Sequence, residues 1–227
     1  MTPSAPIHAV LFDWGDTLFA SPHAPTVIAD AARAAGVPMD VASARRIWDE
    51  LWEAGKSAEE HAKGRDLSRD AHERVWTALF GRANHLVPGI DRLLYRTVMD
   101  PAGWIPYPDT RPTLQALRER GVRIGIVSNH AYDLRPFFRA HDLDRCIDAY
   151  AFSYEVGAPK PDPRIFHEAC ARLRVQATET LMVGDDAVSD GGAVAAGLRV
   201  YLLPPYDVAG SARGLEEVVR IVDRSRA

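Results

Sequence analysis

The stretch Ala9-Val10-Leu11-Phe12-Asp13-Trp14-Gly15-Asp16-Thr17-Leu18 decides the fold. Its first four residues form a continuous apolar run, and such a run bounded by Asp and Gly suits a strand buried on both faces of a parallel sheet. The run ends in Asp13. In an open α/β sheet, ligands bind just outside the carboxyl ends of the strands, so a carboxylate at that place points into the site such a sheet offers. Taken alone, the stretch favours a plainer account in which Asp13 and Asp16 hydrogen-bond the turn. Three segments further along shift the weight.

From about Thr26 to Met99 the periodicity is helical only. Ala44, Ile47, Trp48, Leu51 and Trp52 form one apolar stripe, and Ala71, Val75, Trp76, Leu79 and Phe80 form another. Ile90, Leu93, Leu94 and Val98 make a third, and an Ala-rich stripe covers Val27 to Ala35. Four amphipathic helices in succession predict a small bundle, with the Trp residues in its core. After the proline-rich Trp104 to Asp109, helix and strand alternate. Buried strands are expected over Val122–Val127, Ala149–Phe152, Thr180–Val183 and Arg199–Leu203, with helices between them and a terminal amphipathic helix through Leu215 and Val222. Asp109 is expected to open the helix that follows it, and Gly121 to close it. The alternation predicts a Rossmann-like parallel sheet with helices on both faces, residues 1–20 and 100–227, interrupted by a helical-bundle domain over residues 21–99.

At 227 residues the chain is long enough for one large core or a core with an insertion. A net charge of −4 with no basic stripe disfavours nucleic acid and anionic membranes as partners. No apolar run approaches the length of a signal sequence or a membrane span. Cys146 and Cys170 stand in no metal-binding spacing and are expected to be reduced, structural thiols in a cytoplasmic protein.

Three predicted strands end in complementary polar groups: Asp13, then Ser128 with Asn129, then Asp185 with Asp190 close behind. The loop Gly157-Ala-Pro-Lys160-Pro-Asp-Pro163 adds an ammonium. If these strands are neighbours, carboxylates, a hydroxyl, backbone amides and a lysine meet at one sheet edge. Crowded carboxylates raise one another's pKa unless a cation sits among them, and an all-oxygen ligand set suits Mg²⁺. Ser128, the amide after it and Lys160 are donors of the kind that cradle a phosphate. Asp13 then stands as the nucleophile for in-line attack on phosphorus, with hydrolysis of the resulting aspartyl-phosphate by water.

These segments resemble, in order, the four motifs of the haloacid dehalogenase-like hydrolases: Phe12 to Leu18 the first, Val127-Ser128-Asn129 the second, Lys160 in Lys160-Pro-Asp-Pro163 the third, and Val183-Gly184-Asp185 with Asp190 the fourth. The resemblance implies a nucleophile at Asp13 and a Mg²⁺ held by Asp13, Asp185 and the Gly15 carbonyl, with Asp190 supporting or joining that shell. It also implies that the inserted helices form a cap, and the leading expectation is a Mg²⁺-dependent phosphohydrolase acting on a small phosphorylated metabolite. One position departs from the pattern. Most phosphatases of the family carry an acid/base Asp two residues after the nucleophile, where this chain has Gly15; Asp16 follows, where the family usually has Gly. The departure leaves open whether Asp16 supplies the proton. It also leaves two alternatives: phosphonate cleavage, which would need a cap lysine, Lys56 or Lys63, or phosphate binding with little turnover. Asp186 fits either a metal ligand or a cap for the next turn, and His23 and His130 are further polar residues near the motifs.

Overall fold

A computed structural model describes residues 5–22, 24–204 and 211–227; His23 lies outside them. The chain divides into two compact units, Met1–Ala20 with Ile105–Ala227, and Ser21–Trp104.

The first unit is built on β1 (Ala9–Phe12), whose four residues are all buried. It lies at the centre of a five-stranded parallel sheet. With β4 (Arg123–Ser128), β5 (Ala149–Phe152), β6 (Thr180–Gly184) and β7 (Arg199–Leu202), the order is β5-β4-β1-β6-β7. Burying a side chain such as Leu11 or Phe12 contributes about 1.5–3 kcal/mol, which is why an apolar run with no polar alternation goes to the central strand. One face of β1 packs Ala9 and Leu11 with Val127, Ala151 and Met182 against Ile165, Phe166, Ala169 and Leu173 of α9 (Pro163–Leu173). The register pairs Phe12 with Ile126 on one side and with Val183 on the other. Asp13, one residue beyond these pairs, and Ser128 and Asp185, two residues beyond, therefore emerge at the same edge.

Two short strands, β2 (Phe19–Ala20) and β3 (Ile105–Pro106), pair antiparallel where the chain leaves this unit and returns to it. The Thr110 hydroxyl and the Tyr107 N–H both donate to the Leu18 carbonyl and pin that junction. Thr110 and Tyr107 flank Asp109, which precedes α6 (Thr110–Glu119). The Asp109 side chain makes no cap bond to that helix. Asp109 opens α6 with its main chain, whose carbonyl accepts from the Thr113 N–H at 3.1 Å, while its two side-chain oxygens accept from the Arg213 and Leu215 N–H groups at 2.9 and 2.8 Å. The unit ends in α10 (Glu216–Ser225).

The second unit is helical: α1 (Ala24–Ala34), α2 (Val41–Gly55), a short α3 (Ala58–Ala62), α4 (Arg69–Phe80) and α5 (Ile90–Met99). Asp40, Ser57 and Ser68 cap α2, α3 and α4 by accepting from the N–H three residues on. The apolar stripes meet in one core in which α1 packs on α2 and α5, and α4 packs on α5 and α2. Trp48, Trp52, Trp76 and Phe80 stack in sequence with ring centroids 5.0–5.9 Å apart, so the tryptophans pack as core. Among the described residues, no helix is long and apolar enough to cross a membrane.

Candidate active site

Asp13 leaves β1 with its N–H donated to the Val183 carbonyl, which fixes the first residue beyond the strand against β6. Its carboxylate meets that of Asp185, one residue past β6, and that of Asp190; an oxygen from each lies within 4.8 Å of the others. The Lys160 ammonium sits in this group, 2.6 Å from Asp13 Oδ1 and 2.7 Å from Asp190 Oδ1, with its side chain 3% exposed. The sheet edge thus collects three carboxylates around one ammonium.

The sequence enforces this convergence locally. A Cβ at Gly184 would overlap the Asp190 carboxylate, so only glycine lets Asp190 fold back onto the strand end. Asp190 Oδ2 also accepts from the Asp186 N–H at 3.0 Å. At Gly192 a Cβ would collide with Pro161, so glycine also permits the close approach of the 191–196 turn to the Lys160 loop. Asn129 clamps that loop: its amide donates to the Lys160 carbonyl at 2.9 Å and accepts from the Lys160 N–H at 2.6 Å. Asn129 therefore places the ammonium by holding the lysine's main chain, a role the sequence did not disclose. Ser128 ends β4 and is buried.

The turn after Asp13 carries its own device. Asp16 has φ 55°, the left-handed region, where a non-glycine residue costs about 1–3 kcal/mol unless its surroundings hold it. This accounts for the glycine that the family pattern usually has there. Both of its backbone groups are engaged: the N–H donates to the Phe19 carbonyl at 2.8 Å, and the carbonyl accepts from Arg213 Nε at 2.7 Å. Gly15 bridges to Phe19 in the same turn. The next residue, Thr17, is fully buried and donates its hydroxyl to Asp185 Oδ1 at 3.0 Å. Asp16 is not among the three carboxylates that converge.

Electrostatics set the requirement of the site. Burial, reinforced by Asp190 and Asp185 and opposed by Lys160, pushes the Asp13 carboxyl up to about 7. Burial alone would lower the Lys160 ammonium, yet the two carboxylates against it raise it above its usual range. A nucleophilic carboxylate must be ionised, so this edge calls for positive charge beyond that of one lysine. The donor set is all oxygen and crowded, which fits a small hard cation such as Mg²⁺.

The remaining sequence candidates fall into place around this centre. Asp186 Oδ1 accepts from the Val188 and Ser189 N–H groups at 2.8 and 2.6 Å. Those bonds outweigh its partial burial and hold its carboxyl below the usual range, and it caps the turn. His130 packs edge-on to Trp14 at 5.4 Å and accepts at Nδ1 from the Tyr132 N–H. In the helical unit, Lys56 is paired with Glu53 and Lys63 with Glu60, both partly exposed. Neither has the apolar burial that would keep an amine neutral for Schiff-base chemistry.

Comparison with known proteins shows the family. The haloacid dehalogenase-like hydrolase family matches residues 7–197, and the chain belongs to that family of hydrolytic enzymes. It is 31% identical to the ribulose-1,5-bisphosphate 5-phosphatase of Halopiger xanaduensis over 218 residues, 88% of this chain and 85% of that protein. It is 35% identical to phosphatase MT3486 of Mycobacterium tuberculosis over 99 residues, where the match covers 43% of this chain and spans only about half of that protein, 46%. The crystal structure of a dehalogenase with an intermediate complex superposes with a TM-score of 0.71 at 23% identity, over 98% of this chain and 99% of that one, and shares the fold.

Proposed function

We propose that the protein is a Mg²⁺-dependent phosphohydrolase acting on a small phosphorylated metabolite through an aspartyl-phosphate on Asp13. The observation that carries this reading is the set of three carboxylates around Lys160 at the edge where β4, β1 and β6 end. Asp13, Asp185, Asp190 and the Gly15 carbonyl would hold Mg²⁺, which when bound would neutralise phosphoryl oxygens. Lys160 holds the phosphoryl group from the other side, with Ser128 and the Asn129 main chain as further donors. Asp13 attacks phosphorus, the bond from phosphorus to the ester oxygen breaks, and that oxygen takes up a proton. Water then attacks the aspartyl-phosphate, releasing inorganic phosphate and regenerating the carboxylate. With Gly15 at the usual acid/base position, Asp16 is the candidate source of the proton. The helical unit selects the substrate, and the similar phosphatase named for ribulose-1,5-bisphosphate supports a sugar-phosphate class. Free, buried Cys146 and Cys170 fit a reducing cytoplasm.

Dehalogenases share the fold, so the test must separate the two chemistries. Release of phosphate from a panel of phosphate esters, with Mg²⁺ and with chelator, is measured beside release of halide from 2-haloacids. Phosphate release that requires Mg²⁺ supports the reading. Halide release indifferent to Mg²⁺, with no phosphate release, overturns it.

A further inference from the structure

Arg213 stands outside all four motifs, in a segment where the sequence gives no sign of function, yet its side chain is buried and reaches the first-motif turn. It is anchored at both ends. Its backbone N–H donates to Asp109 Oδ1 at 2.9 Å, while Nη1 donates to the Pro204 carbonyl at 2.6 Å and Nε to the Asp16 carbonyl at 2.7 Å. Its guanidinium also lies over the Tyr107 ring, 5.9 Å from the centroid. The accepting carbonyl belongs to the residue at φ 55°. A carbonyl and the following amide share one rigid plane, so fixing the Asp16 oxygen fixes the plane that leads into Thr17. Thr17 in turn donates to Asp185 Oδ1 at 3.0 Å.

We propose that Arg213 is a positioning residue: by holding the Asp16 peptide in its left-handed conformation it aims the Thr17 hydroxyl, and through it the Asp185 carboxylate, at the cation site. The inference rests on the reading of Asp185 as a Mg²⁺ ligand. Groups that orient a metal ligand in this way are worth about 10- to 100-fold in metal affinity. Because glycine adopts a positive φ without strain, the need for Arg213 should fall when residue 16 is glycine.

The test measures divalent binding directly, by calorimetry with Mg²⁺ and by the spin signal of Mn²⁺, alongside thermal unfolding without metal. Wild-type protein is titrated first, and failure of the wild type to bind either ion removes the reading of the site itself. Given wild-type binding, Arg213→Met, which keeps an unbranched apolar stem and removes the donors, should weaken affinity about 10-fold. Arg213→Lys, which keeps one donor, should lose less. In the Asp16→Gly background the same Arg213→Met change should cost less than about 3-fold, because glycine relieves the strain. Wild-type affinity in Arg213→Met, or an equal loss in both backgrounds, would overturn the proposal; the former with a lowered unfolding temperature marks Arg213 as a tether for the terminal segment only. If Arg213→Met does not fold, Arg213→Lys with and without Asp16→Gly decides by the same criterion.

Discussion

Each unit buries a cluster of charges, and the two clusters are balanced differently. In the helical unit, Glu60 is 3% exposed and accepts from Lys63 at 2.7 Å and Arg82 at 3.2 Å, while Asp66 lies 2.8 Å from His61 and 3.4 Å from Arg65. Two carboxylates there are met by three permanent cations, and the Lys63 and Arg82 side chains are 42% and 57% exposed. Water screens the Lys63 and Arg82 ends of these pairs. At the sheet edge, three carboxylates converge on one ammonium that is closed off from water and pairs with two of them, Asp13 and Asp190. The first cluster carries more positive than negative charge and calls for no further cation. The second has a surplus of negative charge in a place where charge is costly, and a surplus of that kind is what a cation is matched to.

The sharpest way to break this contrast is Asp13→Asn, which keeps the shape and removes the carboxylate proposed to attack phosphorus. Phosphate release should fall by about 10³-fold or more, in the range seen when a nucleophile acting in concert with its partners is lost. Steady-state kinetics at saturating Mg²⁺ check it, and activity near wild type would end the assignment. Next in size is Lys160→Met. Removing one partner of a buried ion set leaves the others uncompensated and costs about 3–5 kcal/mol. Denaturant unfolding without metal should show that loss more fully at pH 8 than at pH 5, where Asp13 takes up a proton instead.

Gly15→Asp sharpens the contrast by adding a carboxylate beside the cluster. Turnover of alkyl phosphates should rise by about 10- to 100-fold, the low end of what a placed acid supplies, while aryl phosphates with good leaving groups change little. If Asp16 already serves, Asp16→Asn should selectively lose the alkyl esters; a leaving-group series on the three proteins distinguishes these outcomes. A smaller effect is the pH dependence of Mg²⁺ stabilisation. Asp13, raised from 3.8 to about 7 in the metal-free fold, contributes stability below pH 4 that is lost as pH rises toward 7, and Mg²⁺ competes with that proton. The Mg²⁺-induced rise in unfolding temperature should therefore grow from pH 5 to pH 8. Smallest is Glu60→Gln in the helical unit, which should cost about 1 kcal/mol or less because its partners reach water, with the Mg²⁺ requirement unchanged.

What was legible in the sequence was what local pattern carries. The run Ala9–Phe12 and the polar residues at strand ends were readable because a parallel sheet buries its strands on both faces and leaves its carboxyl edge open. The pairing of Phe19–Ala20 with Ile105–Pro106 was not, since two-residue strands have no period to detect. Asp109 looked like a helix cap because its type and position fit one, and only the fold reveals that its carboxylate serves residues 213 and 215. Asn129 was readable as a motif residue, but its use as a clamp on Lys160 depends on a loop 31 positions away. Arg213 carries no local signal, because an arginine between small residues looks like any solvated side chain until its acceptors are known.

The β2–β3 ribbon has an evolutionary meaning. Ala20 and Ile105 are antiparallel partners, so all of Ser21–Trp104 departs and returns through a seam about 5 Å wide. Neither the order nor the register of the five-stranded sheet involves a residue from inside that seam. The insertion is thus a cassette: it can lengthen, shrink or be exchanged while Asp13, Ser128, Lys160 and Asp185 keep their places. The sheet edge and the inserted helices are free to evolve at different rates.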